Sequence, residues 1–211
     1  MNAGILPVKK PSRAKTRLGR DLGDGRSEAV ARALLDDALG LLAAVDFLDW
    51  WVVSDDPEVL DRARSDGHGA IDDPAGGLNA ALELALSAAA RQGAASALIV
   101  PADVPLATAH DVGQVCDTGE TSDVVLVPSR RDGGTNALHL RPPDLLTPRF
   151  GTGSLEAHVR SAERNKLRCS VVDLSRLALD IDTIEDAKEL VRRDEAARSA
   201  TGALLIGFGI S

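Results

Sequence analysis

The chain alternates short apolar runs with longer stretches in which apolar residues recur at helical spacing. This alternation favours a mostly parallel sheet with helices on both faces. The apolar runs predict an opening strand that starts near Gly4 and ends at Pro7, and further strands over 50–53, 69–71, 97–100, 124–127, 135–140, 167–172 and 179–182. The helical spacing predicts helices over 27–45, 58–64, 78–91, 108–115, 154–164 and 183–193. Ser27, Ser154 and Thr183 are the predicted N-caps of three of them.

Length indicates a single α/β domain. The 211 residues are enough to bury a core without disulfides or metals. We assign residues 1–198 to the domain and residues 199–211 to a C-terminal tail that ends in an apolar run. Whether the tail packs on the domain, pairs across a homo-oligomer or frays is left open.

Charge and composition narrow the class of partner. A net charge of -8 with only 2% aromatic residues disfavours nucleic acid, for which basic faces and aromatic platforms are typical. No apolar run approaches the ~20 residues that span a membrane, and the first residues lack the layout of a signal peptide. The two cysteines are isolated in sequence, which favours a reducing cytoplasm. We therefore expect a cytoplasmic protein whose partner is a small anionic ligand.

The loop after the opening strand reverses the sign of the charge. It carries six cations and no acidic residue before Asp21, namely Lys9, Lys10, Arg13, Lys15, Arg17 and Arg20. A solvated basic loop is the simplest interpretation. Its position between a strand and a helix favours the alternative, because α/β folds hold phosphate groups at the carboxyl end of a strand.

Acidic residues follow two other apolar runs. Asp103 comes directly after the predicted strand 97–100, where a carboxylate faces either a turn or a ligand. Asp180 and Asp182 are alternate residues of the predicted strand 179–182 and share one face, with Asp182 the preferred metal ligand. Magnesium takes one or two protein carboxylates together with phosphate oxygens and waters. These residues therefore predict a magnesium site.

Two glycine-rich stretches are further candidates. In the first, Gly76, Gly77 and Asn79 are placed to contact a base or ribose, although Gly-Gly before a helix is also common in plain turns. In the second, Gly151 and Ser154 precede or start a predicted helix and suit a phosphate or carboxylate; a capped helix is the alternative. Two anion sites around a metal indicate phosphoryl or nucleotidyl transfer.

Taken together, six motifs resemble those of the 2-phospho-L-lactate or phosphoenolpyruvate guanylyltransferases. The motifs are VKKPSRAKTRL, DPAGGLNAAL, PADVP, RDGGTNAL, FGTGS and LDIDTIEDA. That family lies within the nucleotidyltransferases similar to the molybdenum-cofactor guanylyltransferase, which implies a Rossmann-like nucleotidyltransferase fold and a role in deazaflavin coenzyme biosynthesis. The opening loop has Lys-Lys-Pro-Ser where many members of the wider superfamily have glycines.

The resemblance implies a role for each candidate residue. The implied substrates are GTP and a phosphorylated three-carbon acid, and the implied cofactor is Mg²⁺. The implied catalytic residues are Lys15, Arg17 and Asp103. The implied nucleotide-binding residues are Lys9, Lys15, Arg17, Gly76, Gly77 and Asn79. Thr135, Gly151 and Ser154 are the implied acceptor-binding residues, and Asp103, Asp182 and, in reserve, Asp180 are the implied metal ligands.

Several questions stay open at the level of sequence. The choice between phosphoenolpyruvate and 2-phospho-L-lactate is undecided, since both carry a phosphate and a carboxylate on three carbons. Strictness for guanine and the oligomeric state are undecided as well. A transferase acting on molybdopterin or a sugar phosphate, and a nucleotide-binding protein without turnover, are the competing functions. His158 is interpreted as a structural residue.

Overall fold

Seven strands form one sheet in the part of the chain that the structure describes, which is residues 1–10, 16–73 and 77–211 of a computed structural model. The strands are β1 (Asn2–Val8), β2 (Asp49–Ser54), β3 (Gly69–Asp72), β4 (Ser96–Ile99), β5 (Val124–Pro128), β6 (Thr135–Leu140) and β7 (Cys169–Val171). Their order across the sheet is β3-β2-β1-β4-β6-β5-β7. Neighbours are parallel except at β6, which is antiparallel to β4 and β5. The predicted mostly parallel sheet is confirmed, with one reversed strand that the pattern did not predict.

Helices cover both faces of this sheet, as predicted. They are α1 (Thr16–Leu22), α2 (Asp24–Ala44), α3 (Pro57–Ser65), α4 (Leu78–Arg91), α5 (Ala109–Gly119), α6 (Ser154–Arg164), α7 (Ile184–Val191) and α8 (Ala200–Gly207), with a short 3₁₀ helix at Ala196–Arg198. Buried side chains of one face pack against α2, α3 and α5, and those of the other face pack against α4 and α6. Among the described residues, no helix is long and apolar enough to cross a membrane.

Strand β1 continues past Pro7, so the prediction that it ends there is wrong. On the β4 side, pairing stops where the amide of Val100 donates to the carbonyl of Ile5 at 3.0 Å. The backbone nitrogen of Pro7 faces β4, as the carbonyl of Ile5 does, but it lies beyond this last hydrogen bond between β1 and β4. The missing N–H of Pro7 therefore costs no hydrogen bond of the sheet. Strand β1 therefore extends to Val8 and delivers Lys9 to the edge of the sheet.

Three other local predictions are wrong. The N-cap of α2 is Gly23, so Ser27 is a buried residue inside the helix and not its cap. The N-cap of α6 is Gly153, whose φ of 71° lies in the left-handed region that favours glycine, and it is not Ser154. Residues 179–182 form no strand, because they pair with no neighbour of the sheet along their length.

The predicted start of α7 at Thr183 is confirmed. The Asp186 amide donates to Thr183 Oγ1 at 3.3 Å, and the Thr183 amide donates to the Asp186 carboxylate at 2.7 Å. Asp186 is buried and also accepts a hydrogen bond from Arg131 at 2.8 Å. This arrangement fixes the chain directly after Asp182.

Residues 199–211 pack on the rest of the fold. Helix α8 contacts α2 and α7, and its Leu205 is fully buried. The Asp37 carboxylate of α2 accepts hydrogen bonds from the amides of Ala200 at 2.6 Å and Thr201 at 2.9 Å. A carboxylate at a helix N-terminus satisfies amides that have no partner within the helix. Of the three roles left open for the tail, packing on the domain is the one observed.

Candidate active site

A cavity of about 620 Å³ lies at the edge of the sheet where the parallel strands end. The antiparallel strand β6 begins at this same edge, so Thr135 meets residues that follow β1, β4 and β5. Eight of the predicted site residues line the cavity, namely Lys9, Arg17, Gly77, Asp103, Thr135, Gly151, Asp180 and Asp182. Among the described residues, Asn79 and Ser154 are the two predicted ones that do not line it. Lys15 and Gly76 lie outside the described residues.

Three of the predicted carboxylates line the cavity close to one another. The amide of Ile181 donates to the carbonyl of Asp103 at 3.0 Å, which joins the segment that carries Asp180 to the loop after β4. A second tie comes from the buried Asn136, whose side-chain amide donates to the carbonyl of Leu177 at 2.9 Å. Ile181 is fully buried while the acids on either side of it line the cavity, so the predicted alternation holds although no strand forms.

Asp180 is half-buried beside the other two acids. Burial raises the pKa of its carboxyl, and the nearby negative charges of Asp103 and Asp182 raise it further. The hydrogen bonds from Asn136 at 3.0 Å and Ser129 at 2.8 Å act in the opposite direction. Both bonds reach the same oxygen, Oδ1, so Asp180 is held in a fixed orientation.

A divalent cation is compatible with this set of oxygen ligands. Among the described residues, no three His, Cys, Asp or Glu side chains are grouped as a complete metal site. Magnesium does not need such a group, since one or two carboxylates suffice when phosphate oxygens and waters supply the rest. Asp103 and Asp182 line the cavity and can provide those carboxylates, with Asp180 beside them.

An ion pair between Arg176 and Asp111 anchors the segment that leads to Asp180. Arg176 donates two hydrogen bonds of 2.8 Å to the two carboxylate oxygens of Asp111 at the start of α5. Burial alone would raise the pKa of Asp111, but the hydrogen bonds from Arg176 and Thr108 outweigh burial and lower it. Only 2% of the Asp111 side chain is exposed, so the carboxylate depends on these partners.

One side of the cavity, the cationic side, presents long cationic side chains. Lys9 and Arg17 are exposed and line the cavity from the end of β1 and from α1. Gly77 is the N-cap of α4, whose first turn faces the same space. Exposed cations of this kind attract a polyanion while remaining hydrated.

Asn79 joins the cationic side of the cavity to the opposite side. Its side-chain amide donates to the carbonyl of Phe150 at 3.1 Å, and its Oδ1 accepts from the amide of Phe150 at 2.7 Å. Both ends of the Asn79 carboxamide are therefore engaged by one backbone residue. The predicted contact of Asn79 with guanosine stays a prediction, and what the structure places there is an anchor for the Phe150 loop.

The opposite side of the cavity consists of two interlocked loops. The amide of Gly153 donates to the carbonyl of Asp132 at 3.2 Å, and the amide of Leu155 donates to the carbonyl of Gly133 at 3.0 Å. The sequence motifs RDGGTNAL and FGTGS are thus parts of one structure. Gly151 lines the cavity from this structure.

Behind these loops lies a chain of buried hydrogen bonds. Ser154 donates from its hydroxyl to Thr135 Oγ1 at 3.0 Å, and His158 Nδ1 lies 3.1 Å from the same oxygen. His158 Nε2 accepts a hydrogen bond from the amide of Arg149 at 2.9 Å. Burial, with a smaller contribution from the charge of Arg149, lowers the pKa of His158 to about 4. Ser154 thus reaches the cavity through Thr135.

Asn136, Ser129 and Arg176 were not among the predicted site residues, although the first two line the cavity. Ser129 follows directly after β5, so the strand-end rule that selected Asp103 applies equally to it. Asn136 lies inside the motif RDGGTNAL. Arg176 carries no local signal, because its partner Asp111 is distant in sequence.

The sheet order and the helices on both of its faces define the class of fold, which is that of the nucleotidyltransferases. A solved structure from Desulfovibrio desulfuricans G20, named as a candidate nucleotide-diphospho-sugar transferase, has the same fold with a TM-score of 0.84 at 21% identity, covering 99% of this chain and 95% of that one. A nucleotidyl transferase from Methanothermobacter superposes with a TM-score of 0.65 at 16% identity, over 90% of this chain and 95% of that one. These likenesses support the fold alone.

The family follows from sequence comparison. The chain belongs to the family described as guanylyl transferase CofC like, whose sequence model matches residues 2–210. It is 39% identical to a phosphoenolpyruvate guanylyltransferase of Sphaerobacter thermophilus, over 88% of this chain and 90% of the relative. A 3-phospho-D-glycerate guanylyltransferase of Phenylobacterium zucineum is 36% identical, over 95% and 94%. A 2-phospho-L-lactate guanylyltransferase of Methanothermobacter thermautotrophicus is also 36% identical, over 92% and 86%.

Proposed function

We propose that this enzyme transfers GMP from GTP onto the phosphate of a phosphorylated three-carbon acid and releases pyrophosphate. The observation that carries the proposal is the division of one cavity into a cationic side, a carboxylate centre and a glycine-loop side. Relatives that match most of the chain are named guanylyltransferases, and their named acceptors are all small phosphorylated acids. The reaction is a step in the biosynthesis of a deazaflavin coenzyme, and we place it in the cytoplasm on the composition of the chain.

The residues contribute mainly position and charge. A phosphate oxygen of the acceptor attacks the α-phosphorus of GTP, the bond between the α-phosphorus and the bridging oxygen breaks, and pyrophosphate leaves. The acceptor phosphate is already ionised, so the reaction needs no general base. Lys9 and Arg17, together with Lys15, bind the triphosphate and offset the charge that develops on it.

Asp103 and Asp182 are the proposed magnesium ligands, with Asp180 in reserve. Both line the cavity, and Asp103 follows β4, the strand that lies between β1 and β6, so these acids lie between the proposed sites of the two substrates. A bound magnesium ion would neutralise phosphate charge and favour departure of pyrophosphate. Asp180 is less suited as a ligand because its Oδ1 already accepts two hydrogen bonds.

The acceptor is phosphoenolpyruvate or 2-phospho-L-lactate. Thr135 and Gly151 line the side of the cavity opposite the cations, with Ser154 behind Thr135. Hydroxyl groups and backbone amides of this kind bind carboxylate or phosphate oxygens without a cationic side chain. The shape of the interlocked loops, and not charge alone, then distinguishes one acid from another.

A matrix of nucleotides and acceptors tests the proposal. GTP, ATP and CTP are each combined with phosphoenolpyruvate, 2-phospho-L-lactate, 3-phospho-D-glycerate and a sugar phosphate, and both pyrophosphate release and product mass are measured. We expect magnesium-dependent turnover with GTP and one of the first two acids. Equal turnover with the sugar phosphate would contradict the acceptor class. Binding of GTP without turnover on any acid would contradict the enzymatic function.

A further inference from the structure

Thr135 Oγ1 is hydrogen-bonded to two buried side chains of α6. The first hydrogen bond is donated by the hydroxyl of Ser154 at 3.0 Å, and the second joins Thr135 Oγ1 to His158 Nδ1 at 3.1 Å. Thr135, Ser154 and His158 are exposed by only 5%, 2% and 0%. The hydroxyl of Thr135 is therefore hydrogen-bonded on the side of α6, while the residue itself lines the cavity.

The backbone determines which nitrogen of His158 carries the proton. The amide of Arg149 donates to Nε2 at 2.9 Å, so Nε2 must present a lone pair. In a neutral imidazole the other nitrogen then bears the hydrogen. Nδ1–H is thus a donor, and its partner within 3.1 Å is Thr135 Oγ1.

The consequence concerns the proton of Thr135 itself. A hydroxyl oxygen has two lone pairs and one O–H. With Ser154 and His158 donating to both lone pairs, the O–H of Thr135 has to point away from α6. The free direction for this residue is the cavity that it lines.

We propose that His158 is a positioning residue that, with Ser154, fixes Thr135 as a hydrogen-bond donor to an anionic oxygen of the acceptor acid. This inference rests on the proposed function, because it assigns Thr135 to the acceptor. It adds a role for a histidine that does not itself line the cavity. A histidine suits this role because its two nitrogens connect Thr135 to the backbone of Arg149.

Two variants separate this role from simple anchoring of the loop. His158→Asn keeps a donor near the Nδ1 position and loses the bond to Arg149, whereas His158→Gln keeps an acceptor near the Nε2 position and loses the donor to Thr135. The proposal predicts that His158→Gln raises the acceptor KM about tenfold, with the GTP KM unchanged, and that His158→Asn raises it less. If His158 only anchored the loop, His158→Asn would raise the acceptor KM more than His158→Gln does. That result would overturn the proposal.

Thr135 supplies the direct control. Thr135→Val removes the O–H at nearly constant volume and should raise the acceptor KM at least as much as His158→Gln, while Thr135→Ser should stay close to the wild type. The double variant Thr135→Val with His158→Gln should be no worse than Thr135→Val alone, since the histidine acts through the threonine. Additive effects in the double variant would contradict that route.

The tautomer of His158 provides a test that needs neither turnover nor a stable variant. Long-range ¹⁵N–¹H correlation spectra of the wild-type protein at neutral pH should show hydrogen on Nδ1 and none on Nε2. A hydrogen on Nε2 would overturn the inference even in an enzyme that transfers guanylyl groups. An Nδ1–H tautomer in a protein with no turnover on any acid would instead place the failure in the proposed function.

Discussion

The two sides of the cavity differ in physical character. Lys9 and Arg17 on the cationic side are exposed, long and cationic, whereas Thr135 on the side of the interlocked loops is buried and hydrogen-bonded to two other buried side chains. Flexible cations attract any polyanion, and their exposed charge is screened by salt. A buried hydroxyl with a fixed proton donates a hydrogen bond only to an oxygen at one position. Under the proposed function, the cationic side is the nucleotide side and provides charge, and the side of the interlocked loops is the acceptor side and provides selectivity.

The carboxylates lie between the two sides of the cavity. Removing one of them should have the largest effect on turnover. We predict that Asp103→Asn lowers turnover by about 10³-fold or more while leaving the fold intact, because the proposed magnesium site loses a ligand charge. Pyrophosphate release at saturating substrates measures the effect, and the thermal midpoint verifies folding. Asp173→Asn, an exposed acid on the segment that leads to Asp180, is the matched control. Turnover like that of the wild type in Asp103→Asn would contradict the metal assignment.

The second prediction concerns the support beneath those acids. Arg176→Met leaves the buried Asp111 carboxylate without its bidentate partner, and we expect a loss of roughly 2–3 kcal/mol in the free energy of unfolding at pH 7. Urea unfolding measures it. Arg168→Met removes the exposed partner of Asp123 instead and should change stability little. Equal losses in the free energy of unfolding of the two variants would show that the burial of Asp111 does not determine the effect.

This loss should depend on pH in a defined direction. The pKa of Asp111 is lower in the folded protein than its ordinary value, so the pair stabilises fully above the unfolded pKa of about 4. The stabilisation disappears as the pH falls through the folded pKa. The difference in stability between wild type and Arg176→Met should therefore shrink on going from pH 7 to pH 3. A constant difference would mean that Arg176 acts through packing and not through its charge.

The third prediction tests the nucleotide side directly. Arg17→Ala should raise the KM for GTP about tenfold and leave the acceptor KM unchanged, since the lost interaction is with the triphosphate. Added salt should raise the GTP KM of the wild type and raise that of the variant less steeply. Arg20→Ala is the control, because Arg20 is an exposed cation of the same helix that does not line the cavity. A comparable rise in the acceptor KM of Arg17→Ala would contradict the assignment of the two substrates to separate sides of the cavity.

The sequence predicted most of the fold because its signals are local. Helix α4 and strand β6 have the predicted bounds, since periodic apolar residues set the first and an apolar run set the second. The reversed direction of β6 was not predictable, because strand direction depends on which neighbours pair and leaves no local mark. Strand β1 extends past Pro7 only because β4 ends first, which is again a fact of the tertiary structure.

The candidate site was predictable where residues follow strands or sit in glycine-rich loops. Asp103 follows strand β4, and it lies in the cavity. The hydrogen-bonded supports were not predictable, because Arg176, His158 and Asn136 act on partners brought close by folding. The predicted role of Asn79 illustrates the limit: its loop position suggested a ligand contact, whereas its carboxamide is bonded to the backbone of Phe150.

The smallest expected effect tests the selectivity of the acceptor side. Ser154→Ala removes one of the two donors to Thr135 and leaves the other, so we expect the acceptor KM to rise about fivefold and the GTP KM to rise less. Steady-state kinetics with each substrate varied in turn measures both constants, and Ser161→Ala on the same helix is the control. A larger rise in the GTP KM would contradict the division of the cavity. A rise confined to the acceptor would show that a buried hydroxyl, one bond away from the cavity, contributes to selectivity by restricting how its neighbour points.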